Sequence, residues 1–151
     1  MKNQDIVGGK QMSWFFRDLE RKKLFCAEKC KSIYARLDEL LEKTFMVGDN
    51  NLSWAILNNE ENVINVKTTT KLNEALIVMH ECFQSVKEPW NGKDVAENVI
   101  FSRPSKVKRL DYRGFYVVIL EKTAEVLTVA TIRIFGDKVA EVPPYCYAIS
   151  V

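Results

Sequence analysis

The chain has 151 residues, with 22 Lys and Arg against 20 Asp and Glu, one histidine and a formal net charge of +2. Its length fits one domain, and 47% hydrophobic with 28% charged residues is the composition of an ordinary soluble globular protein. A near-neutral balance excludes a strong field for drawing in nucleic acid, so direct nucleic-acid binding is not expected.

No apolar run approaches the ~20 residues that a membrane-spanning helix needs, and Met1 to Lys10 lacks the apolar core of a secretory signal. An intracellular protein with no membrane partner is expected. The four cysteines (Cys26, Cys30, Cys82, Cys146) then read as thiols or metal ligands rather than as a disulfide framework.

In chain order, residues 1–25 are polar, mixed and without periodicity, and read as a loose tail. From Ser32, the spacing of Ile33, Leu37, Leu40 and Leu41 predicts a helix, stopped by Gly48-Asp49-Asn50-Asn51 with Gly48 as its C-terminal cap. Leu52 to Leu57 reads as a short strand and Asn58 to Asn65 as a polar loop. A second helix follows the threonines at 68–70, with Leu72, Ala75, Leu76, Met79 and Phe83 on one face, and ends before Pro89. A shorter helix after Asn91-Gly92 carries Val95, Val99 and Ile100.

The last third predicts an antiparallel meander. Phe115 to Leu120 is an unbroken apolar run suited to burial on both faces. Val126 to Ile134 is rich in β-branched residues, and Gly136-Asp137 turns it into a strand over 138–142. Pro143-Pro144 removes two backbone donors, so the sheet reads as ending there with an unpaired edge and an uncovered face, both aggregation liabilities.

Four constellations could carry chemistry. Phe25-Cys26-Ala27-Glu28-Lys29-Cys30 offers two thiolates able to grip one side of a tetrahedral zinc, but four ligands are needed and no second pair is suitably spaced; two cysteines without metal is the commoner reading. His80 could be a base or ligand, although a histidine bordering a helix face is usually held by backbone or solvent. Arg103, Lys106, Lys108 and Arg109 could contact phosphates or act as a localisation signal, yet lack aromatics for base stacking, and fit a solvated loop better. Glu141, in Val139-Ala140-Glu141-Val142, would have a raised pKa if it faced the core, as suits a general base, whereas a glutamate on the outer face would be inert.

Taken together, several stretches resemble a plant family in which a PHD-type zinc finger precedes a GNAT acyl-CoA N-acyltransferase domain, the "increased DNA methylation" type. They are Leu24-Phe25-Cys26 through Cys30 into Tyr34; Asn51 to Trp54; Ala75 to Phe83; Gly92-Lys93-Asp94; Ile100 to Arg103; Arg113 to Tyr116; and Ile134 to Pro143. They cover about residues 19–143, in order.

The resemblance implies an α+β, GNAT-like fold: the N-terminal half of an acyltransferase, with helices on a three-to-four-stranded, mostly antiparallel sheet. It divides the chain into a tail and zinc-finger remnant (1–30), a partial acyltransferase domain (31–143) and a divergent tail (144–151). It makes Cys26 and Cys30 the last two zinc ligands of the finger and Glu141 the catalytic base that deprotonates a lysine amine. It implies acetyl-CoA and zinc as cofactors of full-length relatives, histone tails or chromatin proteins as partners, and a nuclear location.

One departure stands out. No glycine follows Gly136, so the loop whose amides would cradle the acetyl-CoA pyrophosphate has no counterpart. A truncated member, inactive alone and binding neither cofactor, is therefore expected. A non-catalytic chromatin interaction module is the alternative.

Overall fold

The computed structural model describes residues 16–18, 23–25, 27–59, 65–89, 91–105 and 111–142. Two short strands, β1 (Phe16–Asp18) and β2 (Lys23–Phe25), pair antiparallel within the stretch read from sequence as a tail. Helix α1 (Glu28–Leu40) follows, then β3 (Thr44–Val47), β4 (Leu52–Leu57), α2 (Val66–Cys82), α3 (Val95–Ile100), β5 (Phe115–Lys122), β6 (Glu125–Phe135) and β7 (Val139–Glu141). Strands β3 to β7 form one five-stranded sheet in simple sequence order, antiparallel throughout.

This layout overturns the expected acyltransferase half. The sheet has five strands rather than three to four, it dominates the described residues, and no solved structure matches the chain. The extra strand is β3. The sequence pattern places its residues in a helix running on to Gly48, but α1 stops at Leu40. Leu41 leaves helical geometry (φ −56°, ψ 137°) to bridge Ile56, and Glu42 takes a left-handed conformation (φ 60°).

Glu42 is held there from afar. Thr68 Oγ1–H donates to its Oε1 (2.6 Å) and Asn65 Nδ2–H to its Oε2 (3.0 Å). Gly48 (φ 63°) then serves the β3–β4 turn, a conformation that glycine adopts without a Cβ clash. Phe45 and Trp54, opposite each other across β3 and β4, stack with ring centroids 4.7 Å apart.

Register decides which residues meet the helices. Side chains alternate between faces along a strand, so Ala55, Ile119 and Val129 share one face with Leu57, Val117 and Thr131. The buried core joins that face to Leu72, Ala75 and Met79 of α2 and Ile100 of α3. Fully burying each large apolar side chain stabilises by roughly 1.5–3 kcal/mol. Helix α1 has an apolar stripe but no buried residue, so it contributes far less. Among the described residues no helix is long and apolar enough to cross a membrane.

Both packing helices are capped by side chains. Asn65 accepts from the Lys67 amide to start α2, one turn earlier than the threonines suggest; Thr70 lies inside the helix and donates back to Val66 O (2.9 Å). Asp94 accepts from the amides of Ala96 and Glu97 at the start of α3. The same carboxylate accepts from His80 Nε2–H (2.7 Å) and Ser85 Oγ–H (2.9 Å), tying the end of α2 to the start of α3.

Partial burial opposes ionisation of Asp94, but the hydrogen bonds from Ser85, His80 and the two amides outweigh it and hold the carboxyl below its usual range. A depressed carboxyl stabilises the fold above the unfolded-state value and loses that contribution as pH falls through the folded one. Below about pH 4 the chain should therefore lose stability faster than an Asp94→Asn variant, read as Tm against pH. Equal acid slopes for the two proteins would contradict this role.

Candidate functional site

The sheet brings its charged residues together where β5 begins and β6 ends. Arg133 sits on β6 directly opposite Glu141 on β7 and Phe115 on β5. Its Nε–H and Nη2–H both donate to Glu141 Oε2 (3.1 and 2.9 Å), and its Nη1–H donates to the Asp111 carbonyl (3.0 Å). The guanidinium carbon lies 4.5 Å from the Phe115 ring centre and 4.8 Å from that of Phe135, both within cation–π range.

Just before β5, Arg113 grips Asp111 with a fork: Nε–H to Oδ1 (2.9 Å) and Nη2–H to Oδ2 (2.6 Å). The Arg113 guanidinium is the main reason why the Asp111 carboxyl stays below its ordinary pKa, against a smaller opposing effect of burial. Asp111, Arg113, Gly114, Arg133, Ile134 and Phe135 line an open cavity of about 410 Å³.

Glu141 therefore lies on an edge strand exposed on both faces, with its side chain 44% accessible and ion-paired to Arg133. The geometry supplies a neighbouring guanidinium and an open surface rather than an apolar enclosure. Cys30, on α1, is half-buried beside the β6–β7 turn: a Cβ on Gly136 would meet its Sγ at 4.0 Å. Cys26 lies outside the described residues. Tetrahedral zinc needs four donors, and among the described residues no group of three or more His, Cys, Asp or Glu could hold a metal, so those residues alone do not fit a zinc site.

The structure separates the remaining candidates. His80 is committed to Asp94, far along the chain from Glu141. Arg103 pairs with Glu97 (2.6 Å) and lies over the Phe101 ring (5.7 Å), while residues 106–110 of the basic stretch fall outside the description.

Sequence reasoning missed Arg133 and Asp111, and read Arg113 only as the residue after the basic stretch and the start of the family-like run Arg113 to Tyr116. Gly136-Asp137 signals the hairpin, but a two-residue loop would pair Phe135 with Lys138 and set Arg133 against Ala140; the loop takes three residues, 136 to 138, which pairs Phe135 with Val139 and Arg133 with Glu141.

Residues 83–146 match the family model described as the Increased DNA methylation 1 C-terminal domain. The chain is also similar to "Increased DNA methylation 1" of Arabidopsis thaliana, 32% identical over 131 residues, which cover 79% of this chain and 11% of the relative. It thus spans about a tenth of that protein's length. The chain is similar to the Increased DNA methylation 1 type along most of its length, and residues 83–146 carry the signature of that type's C-terminal domain.

Proposed function

We propose that this chain is a chromatin-associated, nuclear segment of Increased DNA methylation 1 type that works by binding chromatin proteins rather than by transferring acetyl groups itself. The observation that carries the reading is the state of Glu141. A general base works best where an enclosed site holds its substrate away from bulk water, whereas Glu141 stands on an exposed edge strand, 44% accessible, with Arg133 holding its Oε2 by two hydrogen bonds. Glu141 acts instead as the anchor that fixes Arg133 between Phe115 and Phe135.

The similarity to the Arabidopsis protein supports a role connected with DNA methylation and, through it, with chromatin and the nucleus. The acetyltransferase character implied by the zinc-finger/acyltransferase resemblance belongs, in this reading, to ancestry. Incubating the purified chain with labelled acetyl-CoA and histone H3 tails should give no transfer above background. Turnover abolished by Glu141→Gln would restore the enzyme and sink the binding-only reading. A fluorescent fusion of the chain should accumulate in plant nuclei and co-fractionate with chromatin.

A further inference from the structure

We infer that β3 is the edge through which this chain pairs with a second copy of itself, the two β3 strands running antiparallel so that the sheet continues across the junction. Strand β3 (Thr44–Val47) is one end of the five-stranded sheet and pairs with β4 alone among the described strands. An edge strand offers a row of N–H and C=O groups to any extended chain, and natural edges are blunted with charge, proline, bulges or a covering element.

The two ends of this sheet differ in that protection. Strand β7 carries Glu141, ion-paired to Arg133, and is followed directly in sequence by Pro143 and Pro144, which have no N–H to give. Strand β3 holds no charge and no proline, and its register with β4 is unbroken from Thr44 to Val47. Met46 is 65% exposed and Val47 42%, so two adjacent apolar side chains stand in water. Two left-handed residues delimit the open stretch, Glu42 (φ 60°) before it and Gly48 (φ 63°) after it.

Symmetry narrows the register. Hydrogen-bonded and non-hydrogen-bonded pairs alternate along an antiparallel ladder. Two identical strands related by a two-fold axis must therefore set one residue opposite its own copy; two different residues facing each other at the axis would have to form both kinds of pair at once. With Met46 on the axis, Phe45 meets Val47 twice, on the face that carries the Phe45–Trp54 stack. The same register brings the exposed Lys43 alongside the exposed Asp49 of the second copy at each end. Centring on Thr44, Phe45 or Val47 leaves those charges unmatched. This self-complementarity of apolar and charged residues selects a second copy over an unrelated extended peptide.

A four-residue edge buries less than the ~1,200 Å² of a stable specific interface, so the dimer is weak and forms near about 0.1 mM. A partner that holds two chains side by side would raise their effective concentration and complete the sheet.

Sedimentation equilibrium of the full chain from about 0.01 to 1 mM should show monomer passing into dimer and nothing larger, because a two-fold contact uses both β3 edges and closes. Met46→Lys sets two ammonium groups against each other at the axis and should weaken association about tenfold or more. Its Tm in dilute solution should match the parent, since Met46 is exposed. Lys43→Asp and Asp49→Lys should each weaken association about threefold to fivefold, and the double exchange should return to within about twofold of the parent. Val139→Lys, on the opposite edge, should leave association unchanged.

A chain that stays monomeric throughout overturns the inference and leaves the edge to an extended segment of a different protein. So does association indifferent to Met46→Lys, or a double exchange that pairs no better than either single variant. Val139→Lys matching Met46→Lys in its effect, or growth beyond two copies, overturns it as well.

Discussion

Replacing Asn98 with leucine should lower folding stability by about 3 kcal/mol, because it strips a hydrogen-bond donor from a carboxylate shut away from water. Glu88 is only 4% exposed, as is Asn98. Its Oε1 accepts from Asn98 Nδ2–H (2.9 Å) and its Oε2 from Asn91 Nδ2–H (2.6 Å). The loop around it is closed by its own backbone, with the Glu88 amide donating to Lys93 O and the Gly92 amide to Glu88 O.

Loss of the Asn98 amide leaves one carboxylate oxygen with neither water nor protein to solvate it. Leucine is of similar bulk, so the loss reports the missing donor rather than a cavity. Urea unfolding at unchanged m-value measures it. The double variant Asn98→Leu with Glu88→Met should recover much of the stability, since it removes the buried carboxylate together with its buried donor, and Asn91, which also donates to Glu88, is exposed to water. A loss below about 1 kcal/mol, or no recovery in the double variant, would contradict the account.

Lys71→Met should have an effect of similar size, about 3 kcal/mol, for a related reason. Lys71 Nζ lies 2.6 Å from Oε1 of the buried Glu121 and 3.1 Å from Glu74, and it donates to Ala124 O at 2.9 Å. Glu121 lies on the core face by alternation with Val117 and Ile119, next to the point where β6 takes up one extra residue, Leu127. Ala124 and Thr123 form the β5–β6 turn in left-handed conformations (φ 70° and 52°) that disfavour a β-branched residue. Methionine covers the apolar stem but removes the counter-charge and the donor that closes this turn.

Desolvation lowers the Lys71 pKa, yet the hydrogen bonds and charges of Glu121 and Glu74 outweigh it and the net shift is upward. A raised lysine contributes stability fully below its unfolded value, near 10.5, and loses it as pH climbs through the higher folded value. The gap between parent and Lys71→Met should accordingly narrow in alkali above about pH 10.5 and stay constant near neutrality. A gap that does not change with pH would assign the effect to packing.

Much of this architecture is legible in the sequence where periodicity and local signals agree. Leu52–Leu57, the α2 face of Leu72, Ala75 and Met79, the short α3 after Gly92, and the meander around Gly136 all appear in the structure close to where the pattern puts them. What escapes is set by contacts distant in sequence. The end of α1 carries no glycine or proline; it depends on Leu41 reaching Ile56 and on Glu42 being held by Asn65 and Thr68.

Gly48 signals a turn either way, and only the presence of β4 as a pairing partner decides for a hairpin. At the candidate site, Glu141 stands out as a charge in an apolar strand, but its meaning changes once Arg133 is seen across from it. Period-2 alternation gives the face on which a residue lies; its neighbour on the next strand follows only from register.

The arrangement of β5 also bears on how this molecule could be divided. Strand β5 lies at the middle of the sheet, with β4 on one side and β6 on the other, and its inner face joins one core with residues of α2 and α3. The stretch 83–146 that carries the family signature holds β5, β6 and β7 but neither β4 nor α2. Excised on its own, it would bare the full length of a strand rich in valine, isoleucine and aromatic residues, and would lose the leucine, alanine and methionine that α2 adds to the shared core. The boundary drawn by sequence kinship therefore cuts through the cooperative unit, which has to begin upstream of Leu52 to keep β5 enclosed.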